Sequence, residues 1–375
     1  MISSTNKIRQ KPVFKKVQVD DTDKVQPLPI PPGIYPYQLN IEKILLSTSK
    51  QRMVFNMVGD TGSIRLPKFQ QRVAGEMIRQ IREAAHPQDR SLFLYHLGDI
   101  VYKFGEAEGY HEQFFEPYRN FPRPIFAIPG NHDSDVNPES AQPYCSLDAF
   151  VSVFCDTEAR QIKLAEETGR KSMTEPNVYW TLQTPLANII GLYTNVPKYG
   201  YVTNEQKEWF ITQLQAAAAE RPSKACIVCL HHAPYSADIN HGSSHAMIEF
   251  LEAAFDKAGV LPDIVFSGHV HNYQRFSKRY STNAVVPYIV AGAGGYDELH
   301  PIADLKDDDY ADNSELFDTV SLDKYCDHKH GFLKIIIDKK TDGLTLTGEY
   351  YAIPHQENND ELPAVLFDSF TINIG

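Results

Sequence analysis

Residues 53–62 have the sequence Met-Val-Phe-Asn-Met-Val-Gly-Asp-Thr-Gly, in which an apolar run ends abruptly at Gly59-Asp60. Apolar runs without polar alternation are typical of strands that are buried on both faces of a sheet. The same pattern, with Gly, Asp, Asn, Pro or His directly after the run, recurs along the chain. The further runs are Leu92–Leu97, Ile125–Ile128, Cys226–Leu230, Ile264–Phe266 and Val285–Val290.

Helical patterns separate several of these runs, which predicts an α/β fold. Helices are expected at Phe69–Ala85, at Asn204–Ala219 after the capping residue Thr203, and at Ser244–Ala258. Additional strands are predicted at Val178–Leu182, Ala187–Tyr193, Phe332–Ile337, Leu344–Tyr351 and Val365–Ile372. Because ligands of α/β folds bind beyond the carboxyl ends of the strands, the polar residues there are expected to converge on one site.

Composition restricts the class of protein and the kind of partner. With 375 residues, 42% of them hydrophobic and 22% charged, the chain can bury a large core. A formal net charge of −12 makes a nucleic-acid polymer an unfavourable partner. The sequence contains no apolar stretch long enough to predict a membrane span. Five scattered cysteines and an N-terminus without an apolar leader favour the cytoplasm, or export if the native N-terminus is missing.

The chain is predicted to form one domain preceded by an extended arm. Residues 1–36 are polar and then proline-rich, which suits an arm that lies on the domain and takes no part in its chemistry. Residues 37–375 are expected to form a single domain. An irregular insertion around 134–176 is expected to cover one edge of the site.

Oxygen and imidazole donors follow the predicted strands in a fixed order. They are Asp60, Asp99, Asn131, His231, His269 and His271. A protein core does not need this many unpaired polar groups in one place, whereas two metal ions roughly 3.5–4 Å apart do, provided that one ligand bridges them. An aspartate can bridge, and two histidines at a turn after Gly268 can face separate ions.

Five ordered blocks resemble those of calcineurin-like metallophosphoesterases, and specifically the purple acid phosphatase branch. They are Gly59-Asp60-Thr61-Gly62, Gly98-Asp99-Ile100-Val101-Tyr102, Gly130-Asn131-His132-Asp133, Val228-Cys229-Leu230-His231 and Gly268-His269-Val270-His271. Two details favour the branch: Gly62 stands where most of the superfamily has a metal-binding histidine, and Tyr102 follows Asp99 by three residues. The extended string that ends at Arg275 is similar to the same branch.

The resemblance implies a four-layer α/β/β/α sandwich with a dinuclear metal site at the carboxyl ends of its strands. It assigns Fe(III) to Asp60, Asp99, Tyr102 and His271. It assigns a divalent ion, Fe, Zn or Mn, to Asp99, Asn131, His231 and His269. A phenolate is a hard anionic donor that suits Fe(III), so Tyr102 would compensate for the histidine that is missing at position 62.

The implied activity is hydrolysis of small phosphate monoesters by hydroxide held at the metal ions. The candidates for the general acid are His132, with Asp133 able to orient its ring, His241, and His245. Asn131, His241 and His245 are expected to bind substrate. Two alternatives remain open: a phosphodiesterase that acts on nucleotides or lipid head groups with the same centre, and a non-catalytic binding protein that retains the metal site.

Other potential ligands are predicted to be structural. His232 is expected to face away from His231, because neighbouring strand residues point to opposite faces. Cys226 and Cys229 are expected in the core. Cys326, His328 and His330 alternate, and are interpreted as a polar rim or an adventitious metal site.

Overall fold

Two large β-sheets form the centre of the structure, a computed structural model that describes residues 10–45, 48–65, 67–165, 168–355 and 362–375. One short pair, β1 (Phe14–Lys15) with β12 (Tyr310–Ala311), lies outside them. The six-stranded sheet contains β3 (Arg52–Val58), β4 (Leu94–His96), β5 (Ile125–Ala127), β14 (Gly331–Lys340), β15 (Gly343–Ala352) and β16 (Val365–Ile374), in the order β16-β15-β14-β3-β4-β5.

The second sheet has eight strands in the order β13-β10-β11-β9-β8-β7-β6-β2. They are β2 (Gln38–Asn40), β6 (Trp180–Gln183), β7 (Ala187–Gly191), β8 (Ala225–Leu230), β9 (Ile264–Ser267), β10 (Tyr273–Arg279), β11 (Val285–Ala291) and β13 (Val320–Cys326). In both sheets the strands that precede the candidate ligands are parallel neighbours: β3, β4 and β5 in one, and β8 and β9 in the other. Their carboxyl ends therefore meet at one edge of each sheet.

The described residues contain five α-helices. They are α1 (Lys68–Glu83), α2 (Asn131–Ser134), α3 (Asp148–Phe154), α4 (Asn204–Ala218) and α5 (His245–Ala258). The predicted cap of α4 is present, because the Thr203 hydroxyl accepts from the backbone N–H of Gln206. Ser244 caps α5 in the same way, and Gly259 ends that helix in the left-handed conformation. None of the helices described combines the length and apolar character that a membrane crossing requires.

Aromatic side chains join the inner faces of the two sheets. Trp180 of the eight-stranded sheet is fully buried, and its ring centroid lies 6.1 Å from that of Tyr95 and 5.7 Å from that of Phe126 in the other sheet. Its indole N–H donates to the carbonyl oxygen of Ala127 at 3.2 Å. The sheets thus pack face to face, with α1 against β14 and α4 against β7 and β8. The predicted four-layer sandwich is confirmed.

The predicted runs and helices are present, with ends that differ by a few residues. Sequence reasoning missed β10 and β13, because polar side chains interrupt their apolar pattern. Lys278 in β10 is nevertheless buried: its ammonium lies 2.7 Å from the Tyr235 hydroxyl and 2.9 Å from a Glu252 carboxylate oxygen. The expected irregular insertion contains the helix α3.

Replacement of Trp180 by alanine tests whether this side chain joins the sheets. Trp180→Ala should lower the free energy of unfolding by about 3–5 kcal/mol, because it empties a fully buried site and removes the partner of the Ala127 carbonyl. Urea denaturation measures the change. Leu305→Ala, at an exposed position, should change stability by no more than about 0.5 kcal/mol. Equal effects of the two substitutions would contradict the role given to Trp180.

Candidate metal centre

The six predicted donors come together where the strands of both sheets end. Asp60 follows β3, Asp99 follows β4, Asn131 begins α2 after β5, His231 follows β8, and His269 and His271 follow β9. All but Asn131, which is half-buried, are buried. The centre is thus assembled from five separate strand ends.

The backbone at three of these residues has positive φ, which side chains other than glycine rarely adopt. The φ angles are 58° at Asp60, 54° at Asp99 and 68° at His269. Such conformations persist only where the surroundings impose them, and they are concentrated at functional sites. Here hydrogen bonds hold the carboxylates: the N–H of His269 donates to Asp60 Oδ2 at 2.9 Å, and the N–H of His132 donates to Asp99 Oδ1 at 3.0 Å. The turns therefore aim both carboxylates into the site.

The donors fall into two groups that share Asp99. One group is Asp99, His231 and His269, and the other is Asp60, Asp99 and His271; within each, one ligand atom per residue lies within 4.8 Å of the others. His269 and His271 contribute to different groups, as the turn after Gly268 leads one to expect. A carboxylate common to two groups is the arrangement that a pair of ions with a bridging ligand requires.

The side chains of the first group converge on the amide oxygen of Asn131. His231 Nδ1–H donates to the carbonyl oxygen of Leu97 at 2.9 Å, so Nε2 is directed into the group. This Nε2 lies 3.0 Å from the amide oxygen of Asn131 and 3.4 Å from Asp99 Oδ2, and His269 Nδ1 lies 3.0 Å from the same amide oxygen. Burial opposes a charge on His231, but the Asp99 carboxylate outweighs it and raises the pKa of His231 to about 9. A cation bound here would replace the proton on Nε2.

In the second group a hydroxyl lies between the acceptors. His271 Nδ1–H donates to the carbonyl oxygen of Glu298 at 3.1 Å, which leaves the Nε2 lone pair directed into the site. The Tyr102 hydroxyl lies 3.2 Å from this Nε2 and 3.3 Å from Asp60 Oδ1. Tyr102 is therefore adjacent to two of the three side chains with which the resemblance grouped it.

Tyr102 occupies the space in which a side chain at position 62 would lie. A Cβ on Gly62 would come within 2.8 Å of Tyr102 Cδ2 and 2.7 Å of the Ile100 carbonyl oxygen, so a histidine cannot fit there. Gln113 holds Tyr102 in place, because its side chain accepts from the backbone N–H of Tyr102 at 2.9 Å and donates to its carbonyl oxygen at 2.6 Å. The presence of Tyr102 in the site therefore requires glycine at position 62.

Without a cation the buried charges oppose one another. Burial, with a further contribution from the Asp99 carboxylate, raises the pKa of Asp60 well above its usual value. Burial and the surrounding histidines lower the pKa values of His269 and His271, which keeps both imidazoles neutral and able to bind a metal. Burial likewise raises the pKa of Tyr102, so only a strong Lewis acid would ionise its phenol. The donor set therefore fits two cations.

The role predicted for Asp133 is wrong. Its two oxygens accept from three backbone N–H groups, those of Gly130, Ile100 and Val101, at 2.8–3.1 Å. The ring of His132 is oriented instead by the Lys103 carbonyl oxygen, which accepts from Nδ1 at 2.5 Å. Asp133 is fully buried and braces the turn that carries Asp99 against the start of α2. The adjacency of Asp133 to His132 in sequence was misleading, because residues in one helical turn point in different directions.

His241 joins the centre, and His245 does not. The ring of His241 lies 4.1 Å from that of His269, and its Nδ1 is buried without a partner among the described residues. His245 begins α5, is half-exposed, and lies 3.4 Å from Glu249 one turn further on. The position of His245 therefore does not support the prediction that it binds substrate. At the start of the helix, it is not among the described residues that line the cavity.

One histidine of the site was missed by sequence reasoning. The ring of His300 stacks on that of His271 at 4.2 Å, and its Nδ1 lies 3.4 Å from the fully buried carboxylate of Asp238. Asp238 also accepts from the backbone N–H groups of Asn240, His241 and Gly242. A signal for His300 existed, because it follows the glycine-rich stretch 291–295 that passes the centre.

A cavity of about 340 Å³ opens above the two groups. Besides Asp99, Asn131, His269 and His271, its lining includes His132, His241, His300 and Tyr296. Asp21, Lys24, Asp135, Val196, Lys198, Asn240 and Glu298 complete it. Volumes of this size accommodate small molecules.

The other potential metal ligands are buried, exposed or hydrogen-bonded outside the two groups of donors. His232 is buried and shares a 2.7 Å hydrogen bond with the Thr194 hydroxyl through Nδ1. Cys226 and Cys229 are fully buried in β8, as predicted. Cys326, His328 and His330 separate: Cys326 is buried in β13, His328 is exposed, and His330 bonds to the Tyr296 carbonyl oxygen and to His355.

Comparison with known proteins agrees with this site. The family model of calcineurin-like phosphoesterases matches residues 53–273, which include all the predicted donors. The chain belongs to the calcineurin-like phosphoesterase family, as predicted. Its relatives in Arabidopsis thaliana include purple acid phosphatase 22, 30% identical over 118 residues, and purple acid phosphatase 18, 28% identical over 181 residues.

These alignments are partial. They cover 30% and 46% of this chain but only 25% and 36% of the two relatives. Among solved structures, GAP50, described as the anchor in the inner membrane complex of Plasmodium, has a TM-score of 0.55 at 14% identity over 87% of this chain and 90% of that one. At this identity the likeness concerns the fold alone.

Metal analysis of variants tests the two groups. The parent should retain two metal equivalents after dialysis. Asp99→Asn should weaken both sites by more than about 100-fold, because the shared charge is lost, whereas His271→Ala or Asn131→Ala should weaken only one. Elemental analysis by plasma mass spectrometry measures the stoichiometry, and His245→Ala serves as the control that keeps both ions. A single ion in the parent, or both ions in Asp99→Asn, would contradict a shared carboxylate.

Proposed function

We propose that this protein hydrolyses phosphate monoesters with a dinuclear metal centre, as a phosphatase of the purple acid type. The observation that carries the proposal is the carboxylate of Asp99, common to two groups of buried donors at the floor of a cavity. Membership of the calcineurin-like phosphoesterase family supports phosphoester chemistry. The purple acid phosphatase relatives support the monoester, although they are matched over only part of their length.

Two cations bound here would supply an activated water and neutralise the phosphoryl oxygens as charge develops on them. The residues of the chain hold the substrate. Asn131, whose amide oxygen faces His231 and His269, borders the cavity, where it can also meet a phosphoryl oxygen. The cavity of about 340 Å³ favours a small ester over a polymer.

His132 and His241 are the candidates for protonation of the leaving group. Both line the cavity. In His132 the Nε2 nitrogen remains for substrate, because Nδ1–H is engaged with the Lys103 carbonyl oxygen. In His241 the Nδ1 nitrogen is buried without a partner among the described residues, and burial lowers the pKa of the ring to about 3, which disfavours its protonated form. A general acid needs this reach to the leaving oxygen before its pKa matters.

We further propose Fe(III) at the group that contains Tyr102, with a divalent Fe, Zn or Mn ion at the other. The Tyr102 hydroxyl lies beside Asp60 and His271, so the second group can offer a phenolate and two carboxylates. Three anionic oxygen donors suit a trivalent ion, whereas the group with His231, His269 and the Asn131 amide suits a divalent one.

Two other functions remain as outcomes of the test. A phosphodiesterase could use the same donors, and a binding protein could retain them without catalysis. The structural neighbour GAP50 is described as an anchor, which illustrates that this fold is compatible with a role other than hydrolysis. The cavity, which is lined by His132 and His241, supports catalysis over binding alone.

Hydrolysis of model compounds tests the activity. The metal-loaded protein should hydrolyse 4-nitrophenyl phosphate, and bis(4-nitrophenyl) phosphate at least about tenfold more slowly in kcat/KM. Asn131→Ala and His132→Ala should each lower monoester kcat/KM by about 100-fold or more. His245→Ala is the matched control and should retain parent activity. Faster hydrolysis of the diester would favour the phosphodiesterase, and unchanged activity in both variants would overturn the catalytic proposal.

Two histidine variants, His132→Ala and His241→Ala, identify the general acid. An alkyl ester such as glycerol 3-phosphate needs protonation of its leaving group far more than 4-nitrophenyl phosphate does. Loss of the general acid should therefore depress kcat for the alkyl ester selectively, whereas loss of a binding residue should raise KM for both. Comparison of His132→Ala with His241→Ala assigns the two roles.

A visible spectrum tests the Fe(III) assignment. Protein loaded with iron should show a tyrosinate-to-ferric charge-transfer band, and Tyr102→Phe should lose it. Tyr296→Phe is the control, because its ring centroid lies 4.2 Å from that of Tyr102 while Tyr296 belongs to neither group of donors. A colourless parent that holds only zinc or manganese would contradict Fe(III).

A further inference from the structure

The N-terminal segment 10–26 is built into the wall of the site. Val13 is fully buried, its N–H donates to the Ser236 carbonyl oxygen at 2.8 Å, and its carbonyl oxygen accepts from Ser243 N–H at 2.7 Å. Gln18 Nε2 donates to the Ser243 carbonyl oxygen at 3.0 Å. The segment thus fastens both ends of the loop that carries Asp238 and His241.

The segment then reaches the mouth of the cavity. Both carboxylate oxygens of Asp21 accept from the N–H of Lys198 at 3.2 Å. Gln26 and Asn195 exchange two hydrogen bonds, of 2.8 and 2.9 Å. The segment therefore belongs to the wall of the cavity, although the sequence assigned it no part in the chemistry. Its pairing partners lie more than 160 residues away in sequence, so no local pattern predicts the contact.

Two lysines, Lys24 and Lys198, line the cavity where the segment borders it. Lys24 Nζ lies 3.4 Å from Asp21 Oδ2, and Lys198 Nζ donates to the Asn240 carbonyl oxygen at 3.4 Å. Among the described residues, Lys198 has no carboxylate at ion-pair distance, and burial and the nearby Lys15 lower its pKa against the opposing effect of Asp238 and Asp21. An anion placed here would favour the charged form of the ammonium group.

The lining also carries four carboxylates, those of Asp21, Asp99, Asp135 and Glu298. Glu298 pairs with Arg65 at 2.7 Å, an oxygen of Asp135 accepts from the N–H of Val136 at 2.9 Å, and Asp99 belongs to the groups of donors. The two lysines are the cationic part of this lining, in a chain of net charge −12. Their position beside a phosphate-ester site gives them a partner of opposite sign.

Resting on the proposed function, the geometry points to a second anion-binding subsite formed by Lys24 and Lys198, which selects phosphate esters whose leaving group carries a further anionic group. A carboxylate or a second phosphate would serve equally, since both offer oxygens to ammonium donors. The subsite would act on recognition of the leaving group and leave the chemistry at the metal centre unchanged.

Matched esters test the subsite. 3-Phosphoglycerate and glycerol 3-phosphate share a primary phosphate ester and differ in the carboxylate. The parent should favour 3-phosphoglycerate in kcat/KM by at least about tenfold, and each of Lys24→Met and Lys198→Met should reduce this ratio by about fivefold, as one partly exposed ion pair allows. The effect should lie mainly in KM and should shrink as sodium chloride is raised.

A surface lysine provides the control. Lys207→Met, on α4 and outside the cavity lining, should leave the ratio unchanged. All the variants should unfold at the same temperature as the parent, which shows that they fold. The subsite would be overturned by equal kcat/KM for the two esters in the parent. It would also be overturned if neither Lys24→Met nor Lys198→Met lowered the ratio.

A binding measurement separates this inference from the proposed function. Calorimetry on the metal-loaded protein should show tighter binding of 3-phosphonopropionate than of propylphosphonate, and the lysine variants should remove the difference. Neither compound can be hydrolysed at its P–C bond, so the result does not depend on turnover. If the protein lacks phosphatase activity but binds 3-phosphonopropionate more tightly in a lysine-dependent way, only the proposed function is wrong. If it is active but shows no such binding preference, only the subsite is wrong.

Discussion

The carboxylate of Asp99 is the point on which the rest of the site depends. It follows β4 of the six-stranded sheet and lies 3.4 Å from His231, which follows β8 of the eight-stranded sheet. Because it belongs to both groups of donors, the spacing of the two groups depends on how the two sheets pack. In the absence of cations, burial and the Asp99 carboxylate raise the pKa of Asp60 well above its usual value, so metal binding and the stability of this edge of the sandwich are expected to be coupled.

The surrounding backbone is arranged to serve that carboxylate. Left-handed conformations at Asp60, Asp99 and His269 turn the chain sharply after three strands, and Asp133 braces the second of these turns through three backbone N–H groups. Asp133 is thus structural where sequence adjacency suggested a catalytic partner for His132. A side chain at position 62 and the ring of Tyr102 would occupy the same space, so the two cannot be accommodated together.

Around this floor, the cavity wall comes from segments that are distant in sequence. The loop with Asp238 and His241, the stretch that ends at His300, and the N-terminal segment meet only in the folded chain. The floor defines what chemistry two cations could perform, while the wall decides which molecules reach it. Members of one fold can therefore differ in substrate, or in having one at all, through the wall alone.

The sequence by itself determined the buried strands, the helix caps and the order of the donors, because these depend on local periodicity and on residue types at strand ends. It also paired Gly62 with Tyr102, through the resemblance to a family. Only the tertiary structure decided that His300 stacks on His271, that His245 stands outside the cavity, that Asp133 binds backbone, and that Asp21 and Lys24 line the site. These depend on side-chain direction and on contacts between remote segments, such as Val13 with Ser236, for which a linear pattern carries no signal.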